Sequence, residues 1–432
     1  MDILKYDDID LTENIKRSEE DVENVLDIVS DILKDIKTNR DKAVKSYTEK
    51  FDNVLVEDLK VSPDEIKRAY ESLDDDLVNA LKSAADNIKR FHKKQIPEEW
   101  QIEVIDGIKA GQIIRPLNSV GCYIPGGRAA YPSTILMTVI PAKIAGVNKV
   151  ICCSPPQKDG KIIDAILVAA DISGADEIYK VGGAQAIGAM AYGTESIPKI
   201  EKIVGPGNIF VTAAKKLVYG QVDIEFPAGP SEVLIVSDET ANPEFIATDI
   251  LAQAEHDPNA SCFLVTNSEN IANKTLEFVK DKTGNAIRRD IIEESLAKSG
   301  KIIITNTIEE SIHVANEYAP EHLIISTKND EGVLSKINNA GSIFLGAYSP
   351  VAAGDYGSGT NHVLPTGGGA KMYSGLSTED FIKKPTVQRI TKEALKELSK
   401  SAVPIAEYEG FFAHAEDRKS TRLNSSHMTA SR

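Results

Sequence analysis

The sequence predicts an α/β protein built from two Rossmann-like halves, each an incomplete doubly wound parallel sheet, with small N- and C-terminal helical extensions. Two observations carry this. From about residue 120 one unit repeats: an apolar helix, a glycine turn, a short apolar strand and another glycine or proline turn. Helices between successive strands imply right-handed crossovers and parallel pairing. In addition, 432 residues with 42 % hydrophobic and 6 % aromatic content suit a multi-domain α/β chain with several buried cores.

Residues 15 to 95 alternate acidic and basic side chains around apolar positions, as in DVENVLDIVSDILKDI and DDLVNALKSAADNIKRFHKK, at helical spacing. Glycine and proline become frequent in GIKAGQIIRPLNSVGCYIPGG, which marks a boundary near residue 120. The stretch AAYPSTILMTVIPAKIAGV follows and reads as a buried helix, because Pro132, Ser133, Pro141 and Lys143 interrupt it too often for a membrane span. AKIAGVNKVICCSPP and LVAADISGADEIYKVGG are two repeat units, and PKIEKIVGPGN opens onto the helix NIFVTAAKKLVYG. A second series begins at VDIEFPAGPSEVLIVSD: the helix PEFIATDILAQAEH, the strand SCFLVTNS, the helix IANKTLEFVKD and the strands KIIITN and HLIIS. TVQRITKEALKELSK reads as an exposed helical connector to an extended arm.

A formal net charge of -16 and a pI near 5.0 argue against nucleic acid or an anionic membrane as partner and for a small molecule. MDILKYDDIDLTENIKR has no apolar signal region, so a cytoplasmic location is expected. Cys122, Cys152, Cys153 and Cys262 form no CxxC pair and adjoin no histidine in sequence; the expectation is buried structural thiols, a reactive nucleophile at KVICC being the lesser alternative. No GxGxxG follows a strand with an acidic residue at the right distance, and TGGGAK lacks the spacing and hydroxyl of a phosphate loop, since Met372 follows the lysine. KSTRLNSSHMTASR, from Lys419, is polar and aperiodic; it is expected to be a non-native tail and is set aside with His427.

The chemistry-bearing residues cluster in unusual surroundings. Glu321 and His322 stand side by side in EYAPEHLII, between a proline that disfavours helix and an apolar run that suits a strand; they read either as a solvated loop pair or as two proton-transfer groups. Gln253 and His256, three apart in DILAQAEHDP, would share a helical face before Pro258 ends it. Asp355 lies in AAGDYGSGTNH, a glycine-rich loop able to fold around an ion and closed by His362. His414 follows Glu409 in EYEGFFAHA, whereas His92 and His313 lie on ordinary amphipathic helices. Oxygen and imidazole donors without thiolate point to a catalytic rather than a structural divalent ion, although QxxH alone is common on helices.

Together these segments resemble the histidinol dehydrogenase family from about residue 15 to residue 416, most densely in GCYIPGGRAAYPSTILM, VGGAQAIGAMAYGT, VGPGNIFVTAAKK, PAGPSEVLI, DILAQAEHDP, NEYAPEHLII, VAAGDYGSGTNHVLPTGG and EGFFAHA. The resemblance implies zinc held by Gln253, His256, Asp355 and His414, with Glu321 and His322 as the acid-base pair. It implies NAD at Tyr123, Gln185 and Asn208, and substrate contacts from Ser231 and Glu409 as well as from the metal ligands and His322. It also implies a homodimer in which the C-terminal arm supplies Glu409 and His414 in trans, and oxidation of L-histidinol through L-histidinal to L-histidine with two NAD+. The corresponding domain plan is an arm at 1–22; a first Rossmann-like domain from 23–122 and 231–376 carrying the metal and catalytic residues; a second at 123–230 on the NAD side; and a C-terminal helical arm at 377–418 before the tail at 419–432.

On this reading His322, with an ordinary pKa near 6.5, removes the hydroxyl proton as hydride leaves, and Glu321 activates the water that hydrates the aldehyde. Zinc or manganese would hold the substrate's imidazole and amino nitrogens. Two other readings remain open: a zinc hydrolase using Glu321 without a redox cofactor, and a metal-dependent small-molecule binding protein.

Overall fold

The computed structural model describes residues 1–15, 22–126, 130–226 and 229–416. The tail expected at 419–432 lies outside these residues, as do parts of GCYIPGGRAAYPSTILM and PAGPSEVLI. The chain forms two units: Met1–Gln95 with Leu117–Phe381, and Ile96–Pro116 with the residues from Ile382 onward.

The first unit contains two all-parallel sheets. The five-stranded one runs Glu177–Lys180, Lys149–Ser154, Ser119–Tyr123, Lys202–Val204, Asp223–Ile224. The six-stranded one runs Asp2–Lys5, Gly300–Ile304, Ser261–Thr266, Glu232–Ser237, His322–Ser326, Ser342–Leu345. Each sheet has a core on both faces, which is why central strands such as EVLIVS and SCFLVT are buried at every position instead of alternating. The apolar stretch at 129–147 supplies the buried helix Pro132–Ile144, as expected.

Two sequence expectations need correction here. Residues 23–122 were expected beside the metal-bearing half. The helices Leu26–Asp52, Pro63–Ser72 and Asp75–Lys93 instead pack against the helices that cover the five-stranded sheet, to which Ser119–Tyr123 belongs. An amphipathic stripe states that a helix needs a core, not which core it joins. The arm at 1–22 contributes the edge strand Asp2–Lys5 to the six-stranded sheet.

In the second unit, TVQRITKEALKELSK is not one helix. Thr386–Ile390 is a strand in an antiparallel sheet with Ile108–Gln112 and Trp100–Ile105, and the helix Lys392–Tyr408 starts after the cap at Thr391, whose hydroxyl accepts from the Ala394 N–H. β-branched Thr386, Val387 and Ile390 suit the pleat, and the threonine cap resets the period.

One glycine fixes the turn that leads out of the five-stranded sheet. Gly205 adopts φ +117° where a Cβ would run into the Tyr123 carbonyl. Its N–H donates to Glu225 Oε1 at 2.9 Å, and its carbonyl accepts from Lys215 Nζ at 3.0 Å. Gly205→Ala is therefore expected to lower stability by about 2 to 4 kcal/mol, combining backbone strain with overpacking. Denaturant unfolding checks this; a loss below about 0.5 kcal/mol, the range of a neutral surface change, would contradict it.

Candidate active site

The helix Ile308–Tyr318 stops where Ala319 turns left-handed, at φ 52°, and Pro320 follows. The chain then enters His322–Ser326, which pairs in parallel with Glu232–Ser237. This register brings both Glu321 and His322 to a single residue. The Glu232 N–H donates to Glu321 Oε2 at 2.8 Å, and His322 Nδ1 lies 2.9 Å from the Glu232 carbonyl. A carbonyl only accepts, so Nδ1 carries the hydrogen and Nε2 presents its lone pair. Among the described residues Nε2 has no hydrogen-bond partner; its nearest charged neighbour is Asp355 Oδ1, at 3.9 Å.

Glu321 and His322 are only 6 % and 5 % exposed, which excludes the solvated-loop reading. They face the same side because Glu321 precedes the strand proper, and its Oε2 lies 3.5 Å from His322 Nδ1. Burial pushes the Glu321 carboxyl well above its ordinary value and the His322 imidazole down to about 4. The ordinary value near 6.5 expected for His322 is thus corrected: removing water disfavours the charged ring, and nearby His362 and His256 add to the effect.

Gln253 closes the helix Pro243–Ala254, which Asn242 caps and Pro243 starts. His256 is not on that helix as expected but in the turn beyond it, its N–H donating to the Gln253 carbonyl at 3.2 Å. Gln253 is buried, and its Nε2 has no partner among the described residues. His256 as a residue is exposed, and partial burial of its imidazole lowers its pKa. Asp355, expected in a glycine-rich loop, ends the short helix Val351–Tyr356 instead. The loop from Gly357 returns to His362, whose Nδ1 lies 3.0 Å from the Asp355 carbonyl and whose Nε2 lies 3.4 Å from Thr134 Oγ1. Burial raises the Asp355 carboxyl to about 7 and lowers His362 to about 4.

Gln253, His256, Asp355, Glu321 and His322 thus gather at the amino ends of the six-stranded sheet, where the helices between its strands terminate. His414 and Glu409 belong to the second unit. Among the described residues no group of three His, Cys, Asp or Glu side chains is set to hold a metal. The donors of this unit nevertheless fit a cation: the His256 imidazole, the Asp355 carboxylate that burial alone drives toward neutrality, and the buried Gln253 amide, whose oxygen rather than its unpartnered Nε2 would ligate. Neutral nitrogen and oxygen donors with one carboxylate suit a borderline divalent ion.

The expected NAD contacts lie at the carboxyl ends of the five-stranded sheet, whereas Ser231 stands at the amino end of the six-stranded one. Tyr123 ends its strand and accepts at its hydroxyl from the Gly183 N–H, at 3.1 Å. Gln185 is buried at the start of Gly183–Tyr192, with Oε1 lacking a partner among the described residues. Asn208 caps Ile209–Val218, accepting from the N–H groups of Phe210 and Val211. Ser231 immediately precedes Glu232, and its carbonyl accepts from the Ser261 N–H at 3.0 Å. A cavity of about 710 Å³ lined by Lys202, Lys216, Tyr219, Phe226 and Tyr373 shares no residue with either group.

Sequence reading missed Glu232, whose main chain holds Glu321 and His322; its only signal is an acidic residue heading an apolar strand. The four cysteines are buried and free, as expected. No helix of the described residues is long and apolar enough to cross a membrane.

A sequence model of histidinol dehydrogenase matches residues 15–422. The chain is 59 % identical over 416 residues to a histidinol dehydrogenase of Methanothermobacter thermautotrophicus, covering 96 % of this chain and 98 % of that one. It is 56 % identical to one from Methanococcus maripaludis, covering 98 % and 99 %. The crystal structure of histidinol dehydrogenase from Elizabethkingia anophelis aligns with a TM-score of 0.94 at 44 % identity, covering 98 % of this chain and 97 % of that one.

Proposed function

The chain belongs to the histidinol dehydrogenase family, oxidoreductases of histidine biosynthesis, and from that premise we propose that it oxidises L-histidinol through L-histidinal to L-histidine at the Glu321–His322 site. The observation that carries this reading is the arrangement on Glu232: one residue's N–H and carbonyl hold a carboxyl and an imidazole 3.5 Å apart, and the imidazole's free nitrogen faces the metal candidates. His322 Nε2 takes the hydroxyl proton of the alcohol, returns it to the carbonyl oxygen as water adds, and takes it again from the aldehyde hydrate. Glu321, whose raised pKa makes its carboxylate a stronger base, takes a proton from the water that adds to the aldehyde carbon.

Gln253, His256 and Asp355, with His414 from a partner chain, would hold zinc, which when bound would fix the substrate's imidazole and amino nitrogens. Tyr123, Gln185 and Asn208 would hold NAD+, which accepts one hydride in each oxidation. The five-stranded sheet supports the latter assignment: its strand order reverses between Ser119–Tyr123 and Lys202–Val204, and Tyr123 and Asn208 flank the carboxyl side of that switch point, where open α/β sheets bind ligands. Ser231 and Glu409 would contact substrate. The trans role of the arm is supported by exposed Tyr408, Phe411 and Phe412 around His414, an aromatic surface suited to cover by a second copy. The reading locates the enzyme in the cytoplasm.

Absorbance at 340 nm on adding histidinol and NAD+ tests the function. Two reduced cofactors per histidinol are expected. A hydrolase or a binding protein produces none.

Metal linkage gives a second expectation. Asp355 titrates near 7 without the ion, so below 7 it must lose a proton to bind zinc, while above 7 it is already a carboxylate. Zinc affinity should therefore fall about tenfold per pH unit below 7, with proton release. Chelation should abolish turnover yet leave the far-ultraviolet circular dichroism intact, since the sheet cores do not depend on the ion. Titration calorimetry in buffers of different ionisation heat checks this; pH-independent binding from 5 to 7 would contradict it.

A further inference from the structure

His92, on an amphipathic helix where a surface or half-buried place is the default, is wholly buried. It extends the buried stripe Val78, Leu81, Ala85 and Ile88 of Asp75–Lys93 and is itself 0 % exposed. Its Nδ1 lies 2.6 Å from Gln95 Oε1, and its Nε2 lies 3.3 Å from Asn361 Nδ2. An amide nitrogen only donates, so His92 Nε2 accepts and Nδ1 carries the hydrogen. Burial favours this neutral ring, which an added proton would turn into two donors.

Asn361 is fully engaged. Its amide also donates to the Met137 carbonyl at 2.8 Å, and its Oδ1 accepts from the Val363 N–H at 2.9 Å. The same helix reaches the loop twice more. Asn87 Nδ2 donates to the Gly357 carbonyl at 2.8 Å, and Gly359, at φ +103°, packs so closely on the Asn87 carbonyl that a Cβ would lie 2.8 Å from it. Three contacts thus bind residues 357, 359 and 361 to the last two turns of one helix. The loop they fix runs from Asp355 to His362, and those two residues are themselves joined by the His362 Nδ1 bond to the Asp355 carbonyl.

We infer that His92, with Asn87, is a positioning residue: through Asn361 and Gly357 it fixes the loop that presents Asp355 to His322 Nε2. This rests on the proposed function for what the loop positions, and on geometry alone for the clamp. Supporting groups of this kind change metal affinity by about 10- to 100-fold, and a shift of about 1 Å at a reacting group costs a similar factor in rate.

The test compares His92→Leu, which removes the acceptor, with His92→Gln, whose carbonyl oxygen can reach the Asn361 amide. Asn87→Ala serves as a milder variant if His92→Leu does not fold. Expected for His92→Leu are faster hydrogen exchange confined to residues 355–362, zinc bound about 10- to 100-fold more weakly, and kcat/KM for histidinol lowered by a similar factor, with His92→Gln recovering most of each. Asn87→Ala should move all three in the same direction by less. A purely structural role would lower the melting temperature while exchange at 355–362 and zinc affinity stay at wild-type values below it, and that result would overturn the inference. If wild-type protein reduced no NAD+ with histidinol, the proposed function would fall, and local exchange would still decide the clamp.

Discussion

His322→Asn is expected to slow the oxidation of histidinol and of histidinal alike, each by about 10² to 10⁴. Asparagine can still offer an amide near the Glu232 carbonyl but has no titratable lone pair where Nε2 stands. Both oxidations expel a hydride from a carbon bearing a hydroxyl, so both need that proton removed. Because burial holds His322 near 4, it is a neutral acceptor throughout the neutral range. The loss should therefore be similar at pH 7 and pH 9, where a protonated ring could not account for it. Separate steady-state assays with the two substrates check this; a variant within about threefold of wild type on either substrate would remove His322 as the base.

The second large effect concerns ownership of the site. Gln253, His256 and Asp355 stand in the first unit, His414 and Glu409 in the second. If the arm of one chain completes the site of the other, chains carrying His414→Ala and chains carrying His256→Ala are each inactive alone. In a mixed dimer one site lacks both ligands and the other lacks neither. Subunit exchange should then restore activity, approaching a quarter of the wild-type sites at equal mixing if pairing is random. Were the arm to serve its own chain, every site in the mixture would lack one ligand and nothing would return. That outcome would reject the trans assignment and leave the metal assignment standing.

The parallel sheets were legible because their strands are short apolar runs covered on both faces, with glycine turns between them. The proposed acid-base pair stood out in the sequence because Glu321 and His322 are costly at the edge of such a run unless used. The partner of the helices at 26–93 was not legible, since their stripes fit either sheet. Nor was the strand Thr386–Ile390, where charged neighbours imitated an amphipathic helix, or the turn that carries His256 off its helix. Tertiary burial, invisible residue by residue, moved His322 from its ordinary pKa to about 4 and brought His92 into contact with a loop 269 residues away. His92 had one local signal, its place on the apolar stripe of its own helix.

The division of labour between Glu321 and His322 is the centre of the account, and Glu321→Gln tests it most directly. The glutamine keeps an oxygen for the Glu232 N–H but cannot take a proton from water. Turnover of histidinal should fall by about 10² to 10⁴, while the first hydride transfer from histidinol, followed in a single turnover at 340 nm, stays within about threefold of wild type. Equal slowing of the two steps would contradict the account.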